Sequence, residues 1–135
     1  GGCMSSIGTA RILVVDDEKH LADGIRESLQ AEGYDAAVAH NGVEGLEKAL
    51  AETFDLILLD VMMPKMDGLE TLAELKKIPS LTTTPIVFMT AKIQPSEKQI
   101  YIDAGAVGVI EKPFDPMTIG STLNQLFIEA QEFNI

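Results

Sequence analysis

Leu56-Ile57-Leu58-Leu59-Asp60 is an unbroken aliphatic run that ends at once in a carboxylate. A strand buried on both faces shows such a continuous apolar run instead of alternation, because helices cover both sides of a parallel sheet. The run therefore predicts a central strand with Asp60 at its carboxyl end. Other stretches share the form: Ile12-Leu13-Val14-Val15 leads into Asp16-Asp17, Pro85-Ile86-Val87-Phe88-Met89 into Thr90, and Val107-Gly108-Val109-Ile110 into Lys112. Open parallel sheets gather ligands beyond the carboxyl ends of their strands. Asp16, Asp17, Asp60, Thr90 and Lys112 would all lie there.

Strand-like and helix-like segments alternate five times, which gives an α/β domain of (βα)5 form. Residues 11–15 are the first strand, and Leu21, Ile25 and Leu29 share one face of the helix that Gly33 ends. Residues 35–39 form a second strand, weak because Ala36, Ala37 and Ala39 are poor strand formers, and placed at a sheet edge by topology more than by propensity. Asn41 caps a second helix with Val43, Leu46, Ala49 and Leu50 as its buried stripe. The third strand is Asp55 to Leu59, and Leu69, Leu72, Ala73 and Leu75 mark the third helix after the turn at Pro64 to Gly68. Pro85 to Met89 is the fourth strand. A fourth helix runs from Pro95 or Ser96 to Gly105, then Val107 to Ile110 is the fifth strand. Ile119, Leu123, Leu126, Phe127 and Ala130 mark a fifth helix.

The 135 residues suit one domain, over residues 10–132, with tails at 1–9 and 133–135. Gly1-Gly2-Cys3 ahead of Met4 reads as a cloning remnant, and Cys3 is given no role. A lone cysteine forms no internal disulfide, and the first residues lack the apolar core of a signal peptide, so a cytoplasmic location is expected. No stretch approaches the roughly 18 apolar residues of a membrane span. A formal net charge of −11 opposes direct binding to nucleic acid or an anionic membrane.

Three carboxylates gathered at neighbouring strand ends repel unless protonated or neutralised by a cation. Oxygen donors with retained waters suit Mg2+, whereas zinc or copper would call for His and Cys. With such a cation, one carboxylate can attack phosphorus while the charge on the equatorial oxygens is neutralised. Asp60 is the choice, because its strand should be central. Lys112 would offer a point charge to one phosphoryl oxygen and Thr90 a hydroxyl to another.

Taken singly, these residues have plainer readings. Asp16-Asp17 alone would be a strand-end turn, Thr90 a cap, and Lys112 a solvated charge. Met62, Met63 and Met66 read as packing residues, not a soft-metal cluster. His20 and His40 are expected on the surface.

The motifs Val15-Asp16-Asp17-Glu18, Leu59-Asp60-Val61-Met62-Met63-Pro64-Lys65-Met66-Asp67-Gly68, Met89-Thr90-Ala91, Ala104-Gly105-Ala106 and Lys112-Pro113-Phe114 occur in this order. In them the chain resembles the receiver domains of bacterial two-component response regulators, from Arg11 to the fifth helix. The resemblance implies a flavodoxin-like fold with strand order 2-1-3-4-5. It implies a phosphorylation switch with no other enzymatic activity, in which Asp60 takes a phosphoryl group from a sensor histidine kinase or phosphotransfer protein. Asp17, Asp60 and the backbone carbonyl of Met62 would bind Mg2+ directly, and Asp16 largely through water. Lys112 would pair with Asp60 and then with its phosphate, ahead of a cis peptide to Pro113.

Added charge on Asp60 would draw Thr90 inward and remodel the face of helix four, strand five and helix five, which would be read by an unknown downstream protein and through which the chain could also form a homodimer. The family usually places an aromatic residue three positions before the lysine, as a toggle working with the threonine. Here it is Val109, with one stiff χ1 and no ring. Small Ala91 leaves access to the phosphoryl group, and Met62 and Lys92 flank the path of hydrolytic water and would tune its lifetime.

Other classes fit less well. A phosphohydrolase of the haloacid dehalogenase type needs a second Asp two residues after the nucleophile, where this chain has Met62. A flavodoxin-type cofactor binder needs a phosphate loop where this chain has Asp16-Asp17-Glu18. A receiver kept only for protein contact stays open through Val109. The tail Glu129 to Ile135 lacks linker composition, which favours a free-standing receiver over one excised from a larger regulator or hybrid kinase.

Overall fold

The computed structural model describes residues 10–61, 63, 66–91, 94–112, 119, 121–123 and 125. Strands and helices alternate as β1 (Arg11–Val15), α1 (Lys19–Ala31), β2 (Asp35–Ala39), α2 (Gly42–Ala51), β3 (Leu56–Asp60), α3 (Gly68–Lys76), β4 (Ile86–Ala91), α4 (Pro95–Ala104) and β5 (Gly108–Lys112). The chain is helical again at 119, 121–123 and 125. All strand pairings are parallel, and the sheet order is β2-β1-β3-β4-β5, the doubly wound flavodoxin-like arrangement. Alanine-rich β2 lies at the edge.

Residues 56–59 are each fully buried, since alternate side chains feed two different cores. Ile57 and Leu59 join Leu72, Leu75, Phe88 and Tyr101 on one side of the sheet. Leu56 and Leu58 join Ile25, Leu29, Ile119 and Leu123 on the other. Burying each such side chain stabilises by about 1.5–3 kcal/mol, so β3 is the strand the fold can least lose.

Three strands end later than their apolar runs predict: β3 at Asp60, β4 at Ala91 and β5 at Lys112. A parallel ladder is made by backbone groups and does not stop where side chains turn polar. Asp60 pairs with Met89, Thr90 with Glu111 and Ala91 with Lys112. The polar residues are thereby held by the sheet itself, not by loops.

Helix faces differ more from the predicted stripes. In α2 the buried residues are Gly42, Gly45 and Ala49, while Val43 and Leu50 are 47% and 65% exposed. A Cβ at Gly45 would stand 3.0 Å from Val15, so the close approach to β1 selects the small-residue face. In α3 the exposed Ala73 gives way to buried Thr71, whose hydroxyl donates to the Asp67 carbonyl at 2.8 Å and can therefore be buried without penalty. His40 is half-buried, with Nδ1 enclosed and lacking a hydrogen-bond partner among the described residues, while His20 is exposed as expected. Leu126, Phe127 and Ala130 lie outside the described residues, as do both tails.

Helix boundaries follow the predicted signals. Asn41 accepts from the Glu44 N–H at 2.8 Å, and Gly33 and Gly105 take the left-handed φ values of 98° and 120° that end α1 and α4. Asp67 and Glu70 form a reciprocal capping box, which fixes where α3 starts after the loop that leaves Asp60.

Candidate functional site

The carboxyl ends of β1, β3, β4 and β5 bring Asp16, Asp60, Thr90 and Lys112 to one edge of the sheet. Asp16 is fully buried, and Asp60 and Thr90 are 4% and 5% exposed. Asp17, next along the chain, faces solvent. The backbone N–H of Asp16 continues the ladder to the Ala39 carbonyl at 3.0 Å, while its Oδ1 accepts from the Glu18 N–H at 2.9 Å. This turn fixes the buried carboxylate and leaves Asp17 pointing out.

Lys112 reaches across from β5. Its Nζ donates to Asp16 Oδ2 at 3.0 Å and to Asp60 Oδ1 at 3.3 Å. The sequence reading pairs Lys112 with Asp60; the structure adds a shorter bond to Asp16. The reason is that Asp16 offers a fixed, fully buried acceptor, and the Lys112 side chain extends from β5 far enough to reach both carboxylates. Both oxygens of Asp16 are thus engaged.

One oxygen from each of Asp16, Asp17 and Asp60 can be chosen so that all lie within 4.8 Å of one another. Two unit charges of like sign 4 Å apart repel by roughly 4 kcal/mol at an effective dielectric of about 20. A single ammonium cannot offset three such carboxylates. The donor set is oxygen alone, open to water on the Asp17 side, and it fits a hard divalent cation that keeps part of its hydration shell.

Burial lowers the Lys112 pKa, but the hydrogen bonds and charges of Asp16 and Asp60 outweigh it, and the ammonium titrates above its ordinary value. Because the folded pKa exceeds the unfolded one, this stabilisation is fully present below about pH 10.5 and is lost as pH rises through the folded value. Urea unfolding of the native chain and a Lys112→Met chain should show their difference in stability falling only above that pH. A difference that falls between pH 6 and 9 instead would show that another group controls it.

The remaining predicted positions divide. Met62 and Lys92, with the Lys112-Pro113 peptide, lie outside the described residues. Ala91 closes β4 opposite Lys112. Met63 is buried, as a packing residue should be. Val109 is half-buried on β5 and is the Cα partner of Phe88. Gly68, the last residue of the motif that begins at Leu59, also belongs to the site. A Cβ there would meet the Asp60 carbonyl oxygen and the Val61 Cα, each at 2.7 Å. Only its place eight residues after the carboxylate, beside the cap Asp67, could have signalled this.

Among the described residues no helix is long and apolar enough to cross a membrane. Residues 12–124 match the response regulator receiver domain family. Among curated relatives, response regulator ArlR of Staphylococcus saprophyticus is 45% identical over 105 residues, covering 78% of this chain and 46% of that protein. The probable transcriptional regulator ycf29 of Pyropia yezoensis is 38% identical over 116 residues, covering 86% of this chain and 52% of that one. The chain thus spans about half the length of these relatives. Among solved structures, chemotaxis response regulator CheY4 of Vibrio cholerae superposes with a TM-score of 0.83 at 36% identity, covering 87% of this chain and 98% of that one.

Proposed function

The chain belongs to the response regulator receiver domain family of two-component systems, and from that premise we propose that Asp60 accepts a phosphoryl group. The observation that carries the reading is the buried Asp60 carboxylate with Lys112 at 3.3 Å and two further carboxylates close by. An Asp60 oxygen attacks phosphorus, the bond from phosphorus to the imidazole nitrogen of a donor phosphohistidine breaks, and an aspartyl phosphate forms. The donor is a sensor histidine kinase or a phosphotransfer protein. No other chemistry is assigned to the domain beyond loss of that group to water.

Asp16, Asp17 and Asp60 are the residues that would hold Mg2+, with the Met62 carbonyl added by resemblance to the family. When bound, the ion supplies charge neutralisation to the carboxylates and the phosphoryl oxygens. Lys112, already hydrogen-bonded to Asp60, turns its charge to a phosphoryl oxygen. The Thr90 hydroxyl donates to another. Asp16 keeps Lys112 in place through the exchange, because its bond to the ammonium does not depend on Asp60. Ala91, Met62 and Lys92 are assigned to the approach of water, and a cytoplasmic location fits a chain with one cysteine.

Val109 favours a second reading, a receiver that signals by contact alone. Intact mass after incubation with acetyl phosphate and Mg2+ separates the two. A phosphoryl adduct that disappears on chelation supports the switch. No adduct, together with no binding of beryllofluoride, leaves the contact module standing.

A further inference from the structure

We infer that Tyr101 is the positioning residue through which Asp60 controls α4, an inference that rests on the phosphorylation reading. Tyr101 is 8% exposed and is the buried side chain of α4, whose remaining residues are half-buried or exposed, Ile100 as much as 55%. Its ring packs on Phe88 with centroids 5.2 Å apart and planes tilted by 56°. Phe88 is fully buried in β4, two residues before Thr90, and so projects from the same face of the sheet.

Among the described residues α4 also packs on β5, but without a ring contact of this kind. A groove of about 450 Å³ runs there, and its described lining is Pro95, Lys98, Val109 and Glu111. Val109, opposite Phe88 in the ladder, is too small to fill it. The aromatic pair is therefore a ring-to-ring tie between α4 and β4, beside the packing of α4 on β5. Its strand partner sits on the strand that carries Thr90.

Drawing Thr90 toward a phosphorylated Asp60 displaces the end of β4, and Phe88 with it. Packed aromatic contacts shift as units instead of deforming smoothly, so Tyr101 follows and α4 moves. A leucine at 101 would keep the site apolar but remove the ring that engages Phe88.

The composition supplies a direct probe. The chain has no Trp and two Tyr, and Tyr34 is buried in the opposite core. In a Tyr34→Phe chain, tyrosine emission reports Tyr101 alone. With acetyl phosphate and Mg2+ its emission should change in proportion to the phosphoryl adduct and revert as the adduct decays. Amide hydrogen exchange of α4 should respond to the adduct in the native chain and in Tyr101→Phe, and the response should vanish in Tyr101→Leu although Asp60 is modified to the same extent. Adduct formation without an emission change overturns the inference, as does a native α4 response in Tyr101→Leu. Loss of the adduct itself in Tyr101→Leu overturns it too, since the ring would then be supporting the site. If no chain forms an adduct, the phosphorylation reading fails first and this inference with it.

Discussion

An Asp60→Asn chain should gain no mass from acetyl phosphate and Mg2+ under conditions where the native chain gains about 80 Da. The side chain keeps its size and an oxygen that can accept from Lys112, so the fold should survive. What it loses is the nucleophile, because an amide oxygen does not form a stable phosphoryl ester here. No neighbour can substitute. Asp16 has one oxygen on the Glu18 N–H and the other on Lys112, and Asp17 stands in solvent without a lysine beside it among the described residues. An Asp17→Asn chain should instead keep the acceptor and lose cation affinity, so that its adduct returns at higher Mg2+. Phosphoryl mass on Asp60→Asn equal to that on the native chain would place the acceptor elsewhere.

The fold was legible because its strongest signals are long apolar runs, and burial on both faces leaves such a run no other role. The alternation predicts the (βα)5 form, while the order of the strands rests on the family resemblance and the edge place of weak β2 on topology. Helix faces were less legible. Val43 and Leu50 look like core residues by hydropathy, yet α2 turns Gly42, Gly45 and Ala49 inward, because side-chain volume against Val15 decides the phase and periodicity does not report volume. The site residues were found because each closes a strand. What stayed hidden was their bonding, above all the shorter tie from Lys112 to Asp16, which depends on lateral distances between strand ends. The packing of Tyr101 is hidden in the same way. Its contact with Phe88 joins positions 13 residues apart through the sheet, and no local pattern records that.

Gly68→Ala should damage both the fold and the site, because the methyl it adds would meet backbone. The added Cβ would stand 2.7 Å from the Asp60 carbonyl oxygen and from the Val61 Cα, and 3.1 Å from the Phe88 ring. The first two are backbone atoms and cannot rotate away. The Gly68 N–H also donates to the Val61 carbonyl at 2.9 Å, which pins the turn against retreat. Overpacking of this kind costs about 1–3 kcal/mol, and the upper end applies where backbone must yield. The urea midpoint should fall accordingly with an unchanged slope. Function should suffer more than stability, because the atoms that yield belong to the residue carrying the phosphoacceptor. A displacement of about 1 Å can cost on the order of a hundredfold in rate, and Asp60 is held to Lys112 by a bond already 3.3 Å long. Gly24→Ala is the matched control. No atom lies within 4 Å of its Cβ position in the middle of α1, so the methyl should add about 0.5–1 kcal/mol of stability and leave phosphoryl uptake unchanged. If Gly68→Ala unfolds at the native midpoint and is phosphorylated at the native rate, Gly68 does not set the position of Asp60.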